Sequence, residues 1–280
     1  MMQTEILFED KDILVCYKPA GIATQTSGFA AMDVVSELKN YLSAKGQADP
    51  FVGVIQRLDQ PVEGVLIFGK NKKATAALNK QLTQNEIKKE YLAAVFVKTE
   101  DKPADAFWKE KDEYPLHSKT MLTDYLVKDA RTNTSYVVEK PASLANEKAD
   151  SNTADSGKNF KIQKTSNAKK VSENPDAKKA ELTYTILQKE KVKGGMILYV
   201  RIFLHTGRHH QIRVQFAHAN MPLLGDRKYG TEASQKISDE LSVRDVALCA
   251  QTLRFKHPVT GRKQEFSVKP HKPVLQKITE

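Results

Sequence analysis

The chain has 280 residues, of which 44 are Lys or Arg and 34 are Asp or Glu, so its formal net charge at neutral pH is +10. This length allows one large domain or two small ones, and the basic excess favours a polyanionic partner such as nucleic acid, with a generally basic protein as the alternative. No apolar run approaches the ~20 residues that a membrane-spanning helix needs, so we expect no membrane partner.

Both cysteines, Cys16 and Cys249, lie in apolar segments far apart in the sequence. We expect them to be buried free thiols. The first residues, Met1–Glu5, have neither the basic start nor the apolar core of a secretory signal. These features together predict a reducing, cytoplasmic location.

The first hundred residues mix strand and helix patterns. Apolar residues at helical spacing follow Asp33 and predict a helix that ends before Gly46. Short apolar runs predict strands on both sides of Arg57-Leu58-Asp59-Gln60-Pro61, which therefore falls in a polar connection, where reactive groups are often held. The predicted strands are 13–17, 52–55, 65–68 and 91–97, and a second helix is predicted at 72–82.

Between Glu139 and Glu181 the composition changes to Ser, Asn, Lys, Asp and Ala, with Phe160 as the one aromatic residue. Such a segment buries too little apolar surface to offset the entropy lost on ordering. We expect a flexible surface insertion at about residues 140–180. Its charges could contact an RNA backbone, or it could be a plain solvated loop.

The C-terminal part predicts two strand pairs and a helix. Strands at 182–187 and 196–204 flank a turn at Lys193-Gly194-Gly195, and strands at 248–255 and 264–268 flank Pro258–Gly261. A helix is predicted from His209, close to Gly207-Arg208, on the spacing of its apolar residues. This order of elements predicts an α+β protein with a mixed sheet.

Asp59 is the first candidate for chemistry. A carboxylate that reacts in its ionised form needs a nearby cation, and Arg57, two residues before it, can lie on the same side of an extended segment. A surface ion pair between these two residues would explain the same pattern.

Thr206–Arg213 joins a glycine turn to a helix start, where unpaired backbone N–H groups and arginines favour bound anions such as phosphate. An arginine-rich helix start without a ligand is the alternative. His205, His209 and His210 could be considered as zinc ligands, because the spacing of four between His205 and His209 is within the range for a metal site. No Cys pair or HExxH string accompanies them. We therefore expect no metal.

Five strings of this sequence, in this order, resemble the RluA-type family of RNA pseudouridine synthases, and the resemblance covers almost the whole chain. They are Lys18-Pro19-Ala20-Gly21, Gln56–Phe68 around Arg57-Leu58-Asp59, Lys89-Glu90-Tyr91-Leu92-Ala93, Thr206–Arg213, and Gly225–Gly230. Three positions depart from the family's usual catalytic segment. Gln56 stands where histidine is common, and Val62-Glu63 replaces Thr-Ser.

The resemblance implies a role for each matching residue. Asp59 would be the catalytic nucleophile, Tyr91 would stack on the target base and could accept a proton, and Arg208 would pair with Asp59. Among the RNA-binding candidates, Arg57 would help to open the RNA helix, and Arg213 would contact RNA or support the structure. His209 and Lys18 complete the RNA-binding candidates, although a solvated lysine would also explain Lys18.

The resemblance also implies one catalytic domain over residues 1–280, with a mixed, largely antiparallel sheet, flanking helices and a central basic cleft. No cofactor would be needed, and the chain leaves no room for an N-terminal S4 domain. The substrate would be a uridine in ribosomal or transfer RNA, and we expect a monomer. Two alternatives remain open: a non-catalytic RNA-binding protein on the same fold, and a hydrolase that uses Asp59 with a histidine.

Overall fold

A computed structural model of the chain describes residues 2–26, 32–98, 114–139 and 176–278. These residues fall into two compact units. The first unit comprises residues 1–94 and 238–280, and the second comprises residues 95–237. Strand β5, Lys88–Lys98, contains the point of division. Most of the insertion predicted at 140–180 lies outside the described residues, and the single catalytic domain stays a prediction.

The first unit is built on a mixed sheet. Its strands run in the order β1-β2-β4-β10-β5, with β3 paired to β4 and β11 paired to β10. The pair β4 and β10 is parallel, and the other neighbours are antiparallel. The bounds are β1 Glu5–Glu9, β2 Ile13–Lys18, β3 Gly53–Val54, β4 Glu63–Gly69, β10 Leu248–Lys256 and β11 Lys263–Ser267.

Helix α1, Val34–Ala44, and helix α2, Lys72–Thr83, begin at capping side chains. The Asp33 carboxylate accepts the Ser36 N–H at 2.7 Å, and the Asn71 amide oxygen accepts the Ala74 N–H at 2.8 Å. These bonds satisfy N–H groups that a helix start otherwise leaves unpaired. A short helix α5, Pro273–Gln276, lies near the end of the chain.

One hydrophobic cluster joins the strands of the first unit to helix α2. Burial of each large aliphatic side chain is worth roughly 1.5–3 kcal/mol, so this cluster holds β2, β4, β10 and α2 together. Cys16 and Cys249 are buried free thiols, as predicted. The cluster consists of Ile13, Val15, Ile55, Val65, Ile67, Leu78, Ile87, Leu253 and Phe255.

The second unit contains an antiparallel sheet in the order β9-β8-β6-β7, with the end of β5 beside β9. The predicted hairpin is confirmed as β8, Lys178–Val192, and β9, Gly195–Leu204, with Gly194 at φ +76° in the turn. Strands β6, Lys119–Asp129, and β7, Thr134–Val138, complete this sheet. The helices are α3, Gln211–His218, and α4, Glu232–Glu240.

Strand β8 begins at Lys178, four residues before the strand start predicted at residue 182. Residues 178–181 belong to β8, and Ala180 is fully buried against Leu126 and Val214. The Lys and Ala composition of this segment hid a strand whose alternate residues face the interior. In the described parts of the chain, no helix has both the length and the apolar character to span a membrane.

Candidate active site

The loop between β3 and β4 presents Asp59. Arg57 is exposed, Leu58 is buried and Asp59 is half-buried, so successive side chains alternate in direction. The Thr24 hydroxyl accepts the Leu58 N–H at 3.0 Å and donates to the Leu58 carbonyl at 3.0 Å. The Val62 N–H closes the turn by donating to the Asp59 carbonyl at 3.0 Å. The backbone on both sides of Asp59 is therefore fixed.

Lys18, at the end of β2, holds the same loop from inside. Its ammonium donates to the carbonyls of Pro19 at 2.9 Å, Gln60 at 3.1 Å and Val62 at 2.6 Å. Three acceptors match the three donors of an ammonium group. Lys18 therefore anchors the segment that follows Asp59.

The prediction that Lys18 contacts RNA needs correction, since the side chain is 0% exposed and is not solvated. Burial lowers the pKa of Lys18 to about 7, and the charge of Lys272 lowers it further, while Asp59 and Asp245 oppose the shift. The sequence could not show this burial, because a lysine after a strand is usually at the surface.

Tyr91, on β5, lies in electrostatic range of Asp59. Its side chain is 7% exposed, and its backbone pairs with Ala250 of β10. Burial raises the pKa of the Tyr91 hydroxyl, and the Asp59 charge raises it further. The hydroxyl is therefore protonated at neutral pH. The structure thus brings together two of the three predicted catalytic residues within the first unit.

Gly64 allows the Asp59 loop to enter β4 directly against β10. Its φ is +131°, and a Cβ at this position would lie 2.3 Å from the Ala250 carbonyl oxygen. Any side chain at position 64 would push the β4 backbone away from the β10 backbone. Close packing of β4 against β10 therefore requires glycine at position 64.

The two departures at 62 and 63 point into the protein. Val62 and Glu63 are each 2% exposed, and Glu63 Oε2 accepts the Tyr17 hydroxyl at 2.7 Å. Glu63 Oε1 accepts the Lys272 N–H at 3.2 Å. The third departure, Gln56, has a buried Oε1 without a hydrogen-bond partner among the described residues. At position 63 the inner hydrogen bonds are therefore accepted by a carboxylate.

The second unit holds Arg208 in the loop before α3. Arg208 is exposed, and its Nε donates to the Lys179 carbonyl at 2.9 Å. The Gln211 side-chain oxygen accepts the Arg208 N–H at 2.9 Å and the Thr206 hydroxyl at 2.8 Å. The Arg208 N–H is thus already paired, so the expected anion site of unpaired N–H groups is not open at this residue. Pairing of Arg208 with Asp59 joins residues of both units and stays a prediction.

Arg213 is a structural residue. It is 5% exposed, and its guanidinium donates to Asp226 through Nε–Oδ2 at 2.7 Å and Nη2–Oδ1 at 2.8 Å. The sequence interpretation as an RNA contact is corrected, because this side chain faces the interior; the alternative of structural support fits. Its partner lies in the Gly225–Gly230 string, where Asp226 also accepts the N–H groups of Lys228 and Tyr229.

His209 is half-buried, and its ring stacks on His210 at 3.7 Å between centroids. Its Nδ1 forms a hydrogen bond with the Ser135 hydroxyl at 2.9 Å, and His210 Nδ1 forms one with the Tyr229 hydroxyl at 2.7 Å. Ring contacts and hydrogen bonds therefore fix the loop beside Arg208. An RNA contact by His209 stays a prediction.

One cluster could offer metal ligands: Asp10, Asp12 and His257 of the first unit, with candidate ligand atoms within 4.8 Å of one another. His257 Nδ1 accepts the N–H groups of Val259 at 3.3 Å and Thr260 at 3.2 Å. The proton must then be on Nε2, which donates to Asp10 Oδ2 at 2.8 Å. That nitrogen has no lone pair free for a metal, so these residues fit a hydrogen-bonded link between two turns.

A sequence model of the RNA pseudouridylate synthase family matches residues 12–218. The ribosomal large subunit pseudouridine synthase C of Pasteurella multocida is 28% identical over 277 residues, which cover 99% of this chain and 67% of that protein. The tRNA pseudouridine synthase C of Haemophilus ducreyi is 25% identical, with 95% of this chain and 90% of that protein covered. The chain thus spans about two thirds of its ribosomal relative and most of its tRNA relative.

Two solved human structures share the fold. RNA pseudouridylate synthase domain containing 1 has a TM-score of 0.65 at 17% identity, covering 98% of this chain and 86% of that one. RNA pseudouridylate synthase domain containing 4 has a TM-score of 0.65 at 18% identity, covering 97% of this chain and 91% of that one. The predicted α+β fold with a mixed sheet is confirmed. The chain belongs to the RNA pseudouridylate synthase family and is of the RluA type that its motifs predicted.

Proposed function

We propose that this protein converts a uridine within structured RNA to pseudouridine, with Asp59 as the catalytic nucleophile. One observation carries the proposal: Asp59 is presented on a loop whose backbone is fixed by Thr24 and Lys18, and its charge acts on Tyr91. A plain surface ion pair would need neither the fixed loop nor the neighbouring buried tyrosine.

The proposed reaction is an isomerisation. The C1′–N1 bond of the uridine breaks, the uracil turns while it remains bound, and a bond forms from C1′ to C5, from which a proton leaves as N1 regains one. Atoms and electrons balance without an oxidant or reductant, so the proposal includes no cofactor. A preorganised carboxylate suits this reaction, because little reorganisation is needed when charge develops.

The target base has to leave its stack before it can reach Asp59, at a cost on the order of a few kcal/mol. Arg57 is exposed beside the catalytic carboxylate and is the residue that we propose fills the vacated position. Tyr91 would stack on the extruded base, and Arg208 would pair with Asp59. His209 remains a candidate RNA contact.

The RNA is proposed to be ribosomal or transfer RNA, because the relatives carry names of both kinds. The net charge of +10 supports binding to an RNA backbone. We further propose that the protein acts in the cytoplasm, as a monomer.

The test is a gene deletion followed by mapping of pseudouridine across cellular RNA, with complementation by the wild-type gene and by Asp59→Asn. Loss of a site that only the wild-type gene restores would support the proposal. An unchanged pseudouridine map, together with RNA binding by the purified protein, would instead favour a non-catalytic RNA-binding protein on this fold.

A further inference from the structure

Lys272, the residue before α5, directs its ammonium at backbone carbonyls of the first unit. The Nζ donates to the Pro61 carbonyl at 2.8 Å and to the Val246 carbonyl at 2.6 Å, with Leu248 at 3.5 Å. Pro61 belongs to the Asp59 loop, Leu248 is the first residue of β10, and Val246 lies two residues before that strand. Lys272 therefore ties the catalytic loop to the strand beside it.

Two lysines hold three successive carbonyls of this loop. Lys18 binds those of Gln60 and Val62, and Lys272 binds that of Pro61 between them. The two lysine side chains thus bind successive carbonyls of the turn that follows Asp59, Lys18 the first and third and Lys272 the second. Each of these carbonyls follows Asp59 by one to three residues, so a shift of any of them would move the carboxylate.

Glu63 supplies the negative charge that Lys272 needs in a half-buried position. The Glu63 carboxylate is 2% exposed and accepts the backbone N–H of Lys272, while the Tyr17 hydroxyl occupies its second oxygen. Burial lowers the pKa of the Lys272 ammonium, and the charges of Glu63 and Asp245 oppose that shift. A buried carboxylate is costly unless hydrogen bonds and a nearby opposite charge compensate it. Glu63 has the first from Tyr17 and the Lys272 backbone, and the Lys272 ammonium is a cation whose charge acts on Glu63.

We propose that Lys272, paired with Glu63, is a positioning residue that fixes the Asp59 loop for catalysis. The inference rests on the proposed function only for its effect on turnover, because the anchoring itself is a property of the fold. The pair also accounts for the departure at position 63: a glutamate is accommodated there because a lysine from the C-terminal segment compensates its charge.

The experiment measures amide hydrogen exchange and single-site pseudouridine kinetics in parallel, on wild type, Lys272→Met and Lys45→Met. Lys45 is the matched control, because it is exposed and pairs with Glu9 outside the loop. For Lys272→Met, exchange at the loop amides, including Val62, should rise about tenfold while helix α2 is unchanged. Its kcat should fall about 100-fold with KM nearly constant, as expected when a reacting group is displaced by roughly 1 Å.

Glu63→Gln and the double variant Glu63→Gln with Lys272→Met test the pairing. Removing both charges should lower kcat by less than the product of the two single effects, because neither charge is then left unpaired. Loop exchange equal to wild type in Lys272→Met, or strictly multiplicative effects in the double variant, would overturn the inference. Wild type without turnover on any RNA would overturn the proposed function, and the exchange measurement would still decide the anchoring.

Discussion

Arg213 and Asp226 form a buried bidentate ion pair, with Nε–Oδ2 at 2.7 Å and Nη2–Oδ1 at 2.8 Å and both side chains at most 6% exposed. The pair connects helix α3 to the turn that follows it. The Arg213 guanidinium also lies 5.1 Å from the Tyr229 ring. Arg213, which the resemblance predicted as an RNA contact or a structural support, thus holds helix α3 to this turn.

Arg213→Ala should lower the free energy of unfolding by about 3–5 kcal/mol, because Asp226 would be left buried and unpaired. Urea denaturation measures this loss. Arg131→Ala, at an exposed position of the second unit, should change the same quantity by no more than about 0.5 kcal/mol. Full stability of Arg213→Ala together with weaker RNA binding would return Arg213 to an RNA-contacting role.

Lys18 should make stability depend on pH above neutrality. Its pKa is about 7 in the folded protein and 10.5 ordinarily, so between these values the unfolded chain binds a proton that the folded chain does not. Stability therefore rises with pH in this window, at up to about 1.4 kcal/mol per pH unit from this residue. Lys18→Met should lose that contribution.

The measurement is urea denaturation of wild type and Lys18→Met at about pH 7 and about pH 8.5. Unfolded cysteines begin to ionise near the upper value, but both proteins carry the same two thiols, so this contribution cancels in the difference. We expect the stability of wild type to increase relative to the variant by about 1.6 kcal/mol over this interval. Parallel pH dependences of the two proteins would show that Lys18 keeps its proton throughout.

Periodicity predicted most elements of the first unit, because strands such as β2 and β4 are continuous apolar runs and α1 and α2 have capping residues. It missed β6 and β7, whose residues alternate between partly exposed and buried positions without a long apolar run. It also missed α4, whose first turn is polar and whose buried residues are few.

The motifs predicted which residues matter, but not which way they face. Lys18 and Arg213 were candidates for RNA contacts because lysine and arginine are usually exposed. Only the fold shows that Lys18 binds buried carbonyls and that Arg213 binds a buried carboxylate. The support of the loop by Thr24 and Lys272 comes from residues 35 positions before and 213 positions after Asp59. Sequence spacing carries no signal for contacts of that kind.

Arg208→Ala should lower kcat/KM about 100-fold or more, because in the proposed site its guanidinium pairs with the Asp59 carboxylate and holds it for the reaction. Arg208→Lys should recover part of this loss, because it keeps the charge without the planar fork. Initial rates of pseudouridine formation measure both variants, with Arg131→Ala as the control. A wild-type rate for Arg208→Ala would mean that the cation near Asp59 comes from another residue.

Tyr91→Phe keeps the ring and removes the hydroxyl. If the hydroxyl takes part in proton transfer, kcat should fall about 100-fold with RNA affinity unchanged, and Tyr91→Ala should also weaken binding because stacking is lost. Tyr136→Phe, at an exposed tyrosine of the second unit, is the matched control. A fully active Tyr91→Phe would leave the ring as the functional part of this residue.

The most direct test compares Asp59→Asn with wild type on one RNA, measuring pseudouridine formation in single-turnover reactions and RNA affinity by filter binding at fixed salt. Asparagine preserves the shape of the side chain and removes its charge. We predict that product formation is lost while the dissociation constant changes by no more than about threefold. Product formation by Asp59→Asn at the wild-type rate would contradict the assignment of Asp59 as the nucleophile.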